Sequence, residues 1–174
     1  MATLRMDVDP ALDHVLGKSD APVTLVEYGD YECPHCAKAQ PVVRAVRDAM
    51  GDRLRIVFRA FPLSEIHPHA KHAAEAAEAA GAQGKFWEMH DALFAHQRNG
   101  LEDEKLVALA SGVGADGAKV ADALKSGAYT ERIEMEFLSG VRSGVNGTPT
   151  FFINGTRFDD SWDEETLLAA LRDA

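Results

Sequence analysis

The chain has 174 residues, a formal net charge of −10 at pH 7 and 46% hydrophobic residues. This size fits one domain, or one domain with a large insertion, and the apolar content is sufficient for a core. The negative charge argues against a nucleic-acid surface or an anionic membrane face, because both need a basic patch, and no stretch approaches the ~18 apolar residues that span a bilayer.

Residues 1–20 predict an N-terminal arm or a partly ordered lead-in, because they show no periodic apolar pattern. The first seven residues, Met-Ala-Thr-Leu-Arg-Met-Asp, lack the apolar h-region of a signal peptide. We therefore expect a cytoplasmic protein. If a cleaved leader precedes this sequence, the alternative is a periplasmic or other extracytoplasmic location.

The next region predicts a strand–helix–strand unit. Residues 23–28 form a short β-rich run, and residues 33–50 show a helical pattern that ends at Gly51. Pro41 lies inside this helix and is expected to kink it. Residues 54–59 alternate as a second strand, so the two strands are expected to be parallel with a right-handed crossover.

Residues 64–144 predict an all-helical insertion, because they are rich in Ala, Glu, Lys and Leu and contain no strand-like run. Glycines punctuate the segment and separate its helices. The predicted helices lie near 68–80, 84–96, 103–112, 116–125 and 129–143.

The C-terminal region predicts a hairpin and a final helix. Two β-rich runs flank Asn154-Gly155, which is the strongest short-range hairpin signal, and residues 161–164 resemble a capping box for a helix to about Leu171. The predicted fold is α/β, with a four-stranded mixed sheet in the order βαβ…ββα. The helical insertion separates the second strand from the third, so residues 21–63 and 145–174 form one domain.

The sequence Cys33-Pro34-His35-Cys36 follows a predicted strand and opens a predicted helix. Two residues between the cysteines place both sulfurs on one helical turn, close enough to bridge. At the helix N-terminus, unsatisfied N–H groups and the helix dipole stabilise a thiolate, which is the attacking species in exchange. His35 adds an imidazole beside the sulfur, whereas the charge of Glu32 slightly opposes the thiolate. We predict Cys33 as the nucleophile and Cys36 as the buried resolving thiol.

The cysteine pair has two alternative interpretations. A structural disulfide across so small a loop constrains the unfolded chain very little. A structural zinc site needs four Cys or His ligands, and the candidates beyond the pair are His67, His69 and His72, which are typical surface histidines. We predict no metal and no cofactor.

The sequence resembles the DsbA-like branch of the thioredoxin superfamily of thiol–disulfide oxidoreductases over residues 17–171. The motifs that carry the resemblance are the strand leading to Cys-Pro-His-Cys, the kinking Pro41, the helical insertion and Gly-Thr-Pro-Thr at 147–150. The resemblance implies a thioredoxin fold. It also implies that Pro149, which the sequence alone favours as trans, is cis and lies against the sulfurs, and that the Thr148 backbone pairs with an extended substrate segment.

Glu27 lies six residues before Cys33, inside an apolar strand. By resemblance it is the buried carboxylate that relays a proton to or from the resolving thiol. A buried charge is unfavourable unless it is paired or functional. The alternative is that Glu27 points outward or pairs with Arg55 or Arg59.

The predicted activity is dithiol–disulfide exchange with protein or peptide thiols and an unidentified redox partner. The direction of electron flow stays open. Two rival functions are a peptide-binding or chaperone-like module that uses the Thr148-Pro149 groove, and a glutathione-linked transferase on the same fold. Isomerases of the superfamily usually dimerise through an added domain, which is not visible here, so we expect a monomer.

Overall fold

The computed structural model describes all residues, 1–174. Two short 3-10 turns, Gly51–Arg53 and Gln97–Asn99, supplement the regular elements. The strands are β1 (Val15–Leu16), β2 (Val23–Gly29), β3 (Leu54–Ala60), β4 (Thr150–Ile153) and β5 (Thr156–Phe158). The helices are α1 (Pro34–Met50), α2 (Ala70–Gly81), α3 (Phe86–Ala95), α4 (Asp103–Gly112), α5 (Gly117–Ser126), α6 (Thr130–Arg142) and α7 (Glu164–Arg172). None of these helices is both long and apolar enough to cross a membrane.

The strands form one mixed sheet in the order β1-β3-β2-β4-β5. β2 and β3 are parallel, from Val23 opposite Leu54 to Gly29 opposite Ala60, and helix α1 connects them. β4 pairs antiparallel with β2, and β5 completes the hairpin with β4. This arrangement confirms the predicted thioredoxin fold, with the helical insertion α2–α6 between β3 and β4.

The sheet has one strand more than the four predicted, and this strand comes from residues 1–20. β1 pairs antiparallel with Val57 and Ile56 of β3. Just before β1, the carboxylate of Asp13 accepts two 2.9 Å hydrogen bonds from the fully buried guanidinium of Arg59. A two-residue strand is too short to show an alternating pattern, and a buried ion pair between distant residues leaves no local signal.

The helical elements follow the sequence pattern closely. The five insertion helices begin and end within two residues of the predicted bounds. The final helix differs in its cap, because Asp163 rather than Ser161 occupies the N-cap position and accepts a 2.9 Å hydrogen bond from the Thr166 N–H. The predicted capping box was therefore wrong by two residues.

The largest apolar cluster joins the insertion to the loop that carries the cysteines. It contains Tyr31, Cys33 and Cys36 together with Phe58 of β3 and the buried alanine face of α2. A second cluster lies among the sheet, α1 and α7. The cysteine pair is therefore packed against the helical insertion as well as against the sheet.

Candidate redox site

The two cysteines lie where β2 gives way to α1. Cys33 is the N-cap residue of α1, with extended backbone angles, and Pro34 takes the first helical position, where its missing N–H is tolerated. Both cysteines are free thiols. Cys33 is 4% exposed and Cys36 is 0% exposed, whereas Pro34 and His35 between them are exposed. One sulfur therefore borders the surface and the other is enclosed.

The surroundings of Cys33 favour its anionic form. The pKa of Cys33 is lowered to about 5, first by a hydrogen bond from the Cys36 thiol. Burial opposes this shift, while the Thr148 hydroxyl and the backbone N–H groups of Cys36 and His35 reinforce it. A cysteine with this pKa is almost fully ionised at neutral pH and is therefore a ready nucleophile.

The surroundings of Cys36 favour its neutral form. Burial raises the pKa of the Cys36 thiol far above its usual range, and the hydrogen bond to Cys33 and the negative charge of Glu27 raise it further. The backbone N–H of Asp30, 3.4 Å from the Cys36 sulfur, acts in the opposite direction. Cys36 therefore keeps its proton until another group removes it.

The Thr148–Pro149 peptide bond is cis, as the resemblance implied. The Cys33 thiol lies 3.7 Å from the carbonyl oxygen of Thr148, so this loop borders the reactive sulfur. The Thr148 hydroxyl is buried without a hydrogen-bond partner, and its presence beside the sulfurs lowers the pKa of both thiols. It is thus a spare donor for whichever sulfur carries the negative charge.

His35 contributes through its backbone and not through its ring. Its side chain is exposed and makes no hydrogen bond within the protein, whereas its N–H is one of the donors that lower the Cys33 pKa. Glu32, the opposing charge expected from the sequence, accepts a 2.9 Å hydrogen bond from the His69 N–H.

Glu27 is buried, at 1% exposure, and does not pair with an arginine. Its Oε1 accepts a 3.1 Å hydrogen bond from the Gln40 side chain. Arg55 binds Thr24 and Arg59 binds Asp13 instead. Desolvation raises the Glu27 pKa to about 8. The Gln40 hydrogen bond lowers this pKa, and the negative charge of Cys33 raises it. Such a carboxyl group exchanges a proton near neutral pH.

Sequence reasoning missed the amide and imidazole groups that surround the site. Gln97 donates to the carbonyl oxygens of Tyr31, at 2.7 Å, and Cys33, at 2.9 Å, and so holds the loop before α1. Gln40 lies one helical turn after Cys36 on a buried face of α1, a spacing that was readable. Gln97 and the buried His90 come from the insertion, more than fifty residues after the cysteines, and no local sequence pattern predicts that they reach the site.

The histidines considered as metal ligands have other partners. His67 lies 2.8 Å from Asp30, and His72 lies 2.7 Å from Asp103. No group of three or more His, Cys, Asp or Glu side chains is arranged to hold a metal ion. The His67–Asp30 contact instead links the loop after β3 to the loop that carries the cysteines.

A family model described as "Thioredoxin" matches residues 11–173. Among curated proteins, the "Na(+)/H(+) antiporter NhaA 1" of Salinispora arenicola is 46% identical over 173 residues, which cover 98% of this chain and 26% of that protein. The chain therefore spans about a quarter of the length of the curated relatives it matches.

Solved structures give a likeness over the whole chain. BdbD from Bacillus subtilis has a TM-score of 0.87 and 21% identity, covering 99% of this chain and 98% of its own, and it shows the fold alone. A thioredoxin-like oxidoreductase from Silicibacter pomeroyi has a TM-score of 0.80 and 29% identity, covering 95% of each chain. The chain thus combines the fold of thiol–disulfide oxidoreductases with a Cys-x-x-Cys pair at the start of α1.

Proposed function

The chain belongs to the thioredoxin family whose model it matches, and from this premise we propose that it exchanges disulfides with protein or peptide thiols in the manner of DsbA-like enzymes. The observation that carries the proposal is the contrast between the two sulfurs. Cys33 borders the surface with a pKa of about 5, and Cys36 is enclosed and holds its proton. This contrast supports attack by Cys33 and resolution by Cys36.

In the oxidising direction, a substrate thiolate attacks the Cys33 sulfur of the oxidised pair. The bond between Cys33 and Cys36 breaks, a mixed disulfide forms on Cys33, and Cys36 leaves with the bonding electrons and takes up a proton. A second substrate thiolate then attacks the substrate sulfur of the mixed disulfide, and Cys33 leaves as a thiolate. Two electrons have moved from the substrate to the protein, and the substrate has gained one disulfide.

In the reducing direction the same steps run backwards, and Glu27 has its role at the resolving step. Cys36 must lose its proton before it attacks the Cys33 sulfur of the mixed disulfide. Glu27 lies close enough for its charge to affect the Cys36 pKa, and we assign it as the acceptor of this proton. Once Cys33 is bonded to the substrate, its charge no longer raises the Glu27 pKa, so Glu27 ionises more readily when the base is needed.

The substrate contact is assigned to the loop around Pro149. Thr148 and Pro149 are half-buried just before strand β4, and the Thr148 carbonyl oxygen lies 3.7 Å from the Cys33 sulfur. An extended substrate segment that adds to this backbone as a strand would bring its cysteine to Cys33.

The stabilised Cys33 thiolate also supports a direction. Only the reduced protein carries this thiolate, so stabilising it favours the reduced pair and makes the disulfide a better oxidant. An oxidant of this kind works where the thiol pool does not keep it reduced, so the oxidising direction goes together with the extracytoplasmic alternative.

The proposal is tested by oxidation of a reduced peptide with two cysteines by the oxidised protein, alongside equilibration with glutathione. We expect stoichiometric peptide oxidation that Cys33→Ser abolishes, and a potential above that of the cytosolic glutathione pool. When reduced Cys36→Ser is mixed with the disulfide form of the same peptide, Cys33 should attack it, release one peptide thiol and remain trapped in a mixed disulfide. If Cys33→Ser leaves the biological activity unchanged and retains peptide binding, the binding module is correct instead. Conjugation of glutathione to an electrophile would favour the transferase.

A further inference from the structure

Four buried polar side chains form a continuous hydrogen-bonded chain that ends at Glu27. The Tyr31 hydroxyl lies 2.9 Å from Nδ1 of His90. Nε2 of His90 lies 3.2 Å from Oε1 of Gln40, and Nε2 of Gln40 lies 3.1 Å from Oε1 of Glu27. The chain therefore joins the loop before Cys33, the insertion helix α3, helix α1 and strand β2.

The donors in this chain all point toward Glu27. The Gln40 amide nitrogen donates to Glu27 and, at 3.2 Å, to the Cys36 carbonyl oxygen, so the amide oxygen faces His90. His90 must therefore carry its proton on Nε2 and accept at Nδ1 from the Tyr31 hydroxyl. Burial lowers the His90 pKa to about 3 and raises the Tyr31 pKa, which fits a neutral imidazole and a protonated phenol.

The orientation of the Gln40 amide decides which form of Glu27 is favoured. A nitrogen facing the carboxyl group donates to the ionised form, whereas a flipped amide would present its oxygen and favour the protonated form. The Cys36 carbonyl oxygen opposes the flip, because a flipped amide would place its oxygen against that carbonyl, and the N–H of His90 adds a hydrogen bond to the amide oxygen of the unflipped orientation.

We propose that His90 is a positioning residue for the resolving step, which holds the Gln40 amide so that it stabilises ionised Glu27 and thereby promotes removal of the Cys36 proton. The inference rests on the proposed function, because it assumes that Glu27 accepts this proton. It assigns to the helical insertion a part in the chemistry, through one imidazole of α3.

The other groups near Glu27 leave Gln40 as its one direct hydrogen-bond partner. The strands on either side of β2 present Phe58 and Phe151 opposite Glu27, and both are uncharged. A cavity of about 20 Å³, room for one water molecule, is lined by Glu27, Gln40 and His90. Besides His90, the ionisable groups that face Glu27 are the Tyr31 phenol, two thiols and three charged side chains that line this cavity: Cys33, Cys36, Arg44, Arg47 and Asp91.

The test separates the two thiol steps with Ellman's reagent. The reduced protein releases one equivalent of thionitrobenzoate when Cys33 attacks and a second when Cys36 resolves the mixed disulfide, and rapid mixing follows both across pH 5–9. For His90→Phe we expect the second release to slow about tenfold at pH 7 and its midpoint to rise by about one pH unit, because the ionised fraction of Glu27 falls tenfold per unit below its pKa. The first release should stay within twofold of wild type.

Three comparisons keep the test decisive. His90→Gln, which restores a donor to Gln40, should recover part of the lost rate. In a Glu27→Gln background, His90→Phe should have no further effect. Phenylalanine suits the site, since the His90 ring already packs among Tyr31, Phe58 and Phe94. If it fails to fold, His90→Leu, which also lacks a donor to Gln40, carries the same expectation.

An unchanged pH profile in folded His90→Phe, or an equal slowing in the Glu27→Gln background, would overturn the role of His90 and leave the proposed function standing. If the wild-type protein shows no second release, the proposed function itself fails.

Discussion

The two sides of the cysteine pair differ in what they offer a sulfur atom. On the Cys33 side, the Cys36 thiol and backbone N–H groups donate hydrogen bonds, the nearby Thr148 hydroxyl adds to their effect, and the Cys33 pKa falls to about 5. On the Cys36 side, burial dominates, the hydrogen bond to Cys33 and the charge of Glu27 add to it, and the thiol keeps its proton. A thiol that is surrounded by hydrogen-bond donors therefore becomes a thiolate nucleophile. The same group enclosed beside a carboxylate stays protonated.

The strongest way to break this contrast is to remove the inner sulfur. Cys36→Ala eliminates net dithiol exchange, because no thiol remains to resolve the mixed disulfide. It also removes the largest contribution to the low Cys33 pKa, so that pKa should rise by at least about one unit from about 5. Turnover with a dithiol peptide and the thiolate absorbance near 240 nm measure both effects. A Cys33 pKa that stays near 5 would show that the other donors suffice.

The next change removes the carboxylate beside Cys36. Glu27→Gln should slow resolution roughly 100-fold at pH 7, a typical contribution of general base catalysis, while attack by Cys33 stays nearly unchanged. The matched control is Glu136→Gln, since Glu136 is also buried, with burial raising its pKa to about 7, but its partners are the Ala60 N–H and Arg132. This control should alter stability and neither thiol rate. Equal slowing by both variants would contradict a specific role for Glu27.

The two sides also predict opposite effects of pH on the stability of the reduced protein. The Cys33 pKa is lowered from 9.0 to about 5, so the stabilisation it provides is complete above pH 9 and is lost as the pH falls toward 5. The Glu27 pKa is raised from 4.5 to about 8, so its contribution is present below pH 4.5 and is lost as the pH rises toward 8.

Urea unfolding of the reduced protein from pH 5 to pH 9 measures these slopes. Relative to Cys33→Ser, the wild type should gain stability as the pH rises, by up to about 1.4 kcal/mol per unit of pKa difference. Relative to Glu27→Gln, it should lose stability over the same range. Slopes of the same sign for both comparisons would contradict the contrast.

The smallest expected effect concerns a single donor on the outer side. Thr148→Val keeps the shape of the side chain but removes the hydroxyl that lowers the Cys33 pKa. We expect that pKa to rise by about one to two units at most, since one hydrogen bond to a charged group contributes about 1.5–3 kcal/mol. Thiolate absorbance against pH tests this, with Thr150→Val as a control whose hydroxyl binds the Gly147 carbonyl instead.

The sequence indicated the outer side of the site better than the inner one. Cys33, Cys36 and Pro34 form a local motif, and its position between a strand and a helix predicts a thiolate at the helix N-terminus. The Thr148–Pro149 loop was predicted from the family resemblance. Glu27 was visible as a charge in an apolar strand. The partner of Glu27 could not be predicted, because Gln40 is an uncharged residue without a motif of its own. His90 could not be predicted either, because it reaches the site only through the tertiary packing of α3.

The fold shows the same division. Strands β2 to β5 and the insertion helices were readable because each carries its own periodic pattern over several residues. β1 was not, because its two residues depend on pairing with β3 and on the buried contact between Asp13 and Arg59. Local patterns specified the elements, and contacts between distant residues specified how the ends and the insertion attach to them.

The central claim is that Cys33 exists as a stabilised thiolate beside a protonated Cys36, and its most direct test is a titration of the reduced protein. Absorbance near 240 nm, followed from pH 3 to pH 9 with the double variant Cys33→Ser/Cys36→Ser as the blank, should show one thiolate forming with a midpoint near pH 5 and none from Cys36 below pH 9. A single midpoint near 8.5, the value of an ordinary cysteine, or two thiolates forming together, would contradict it.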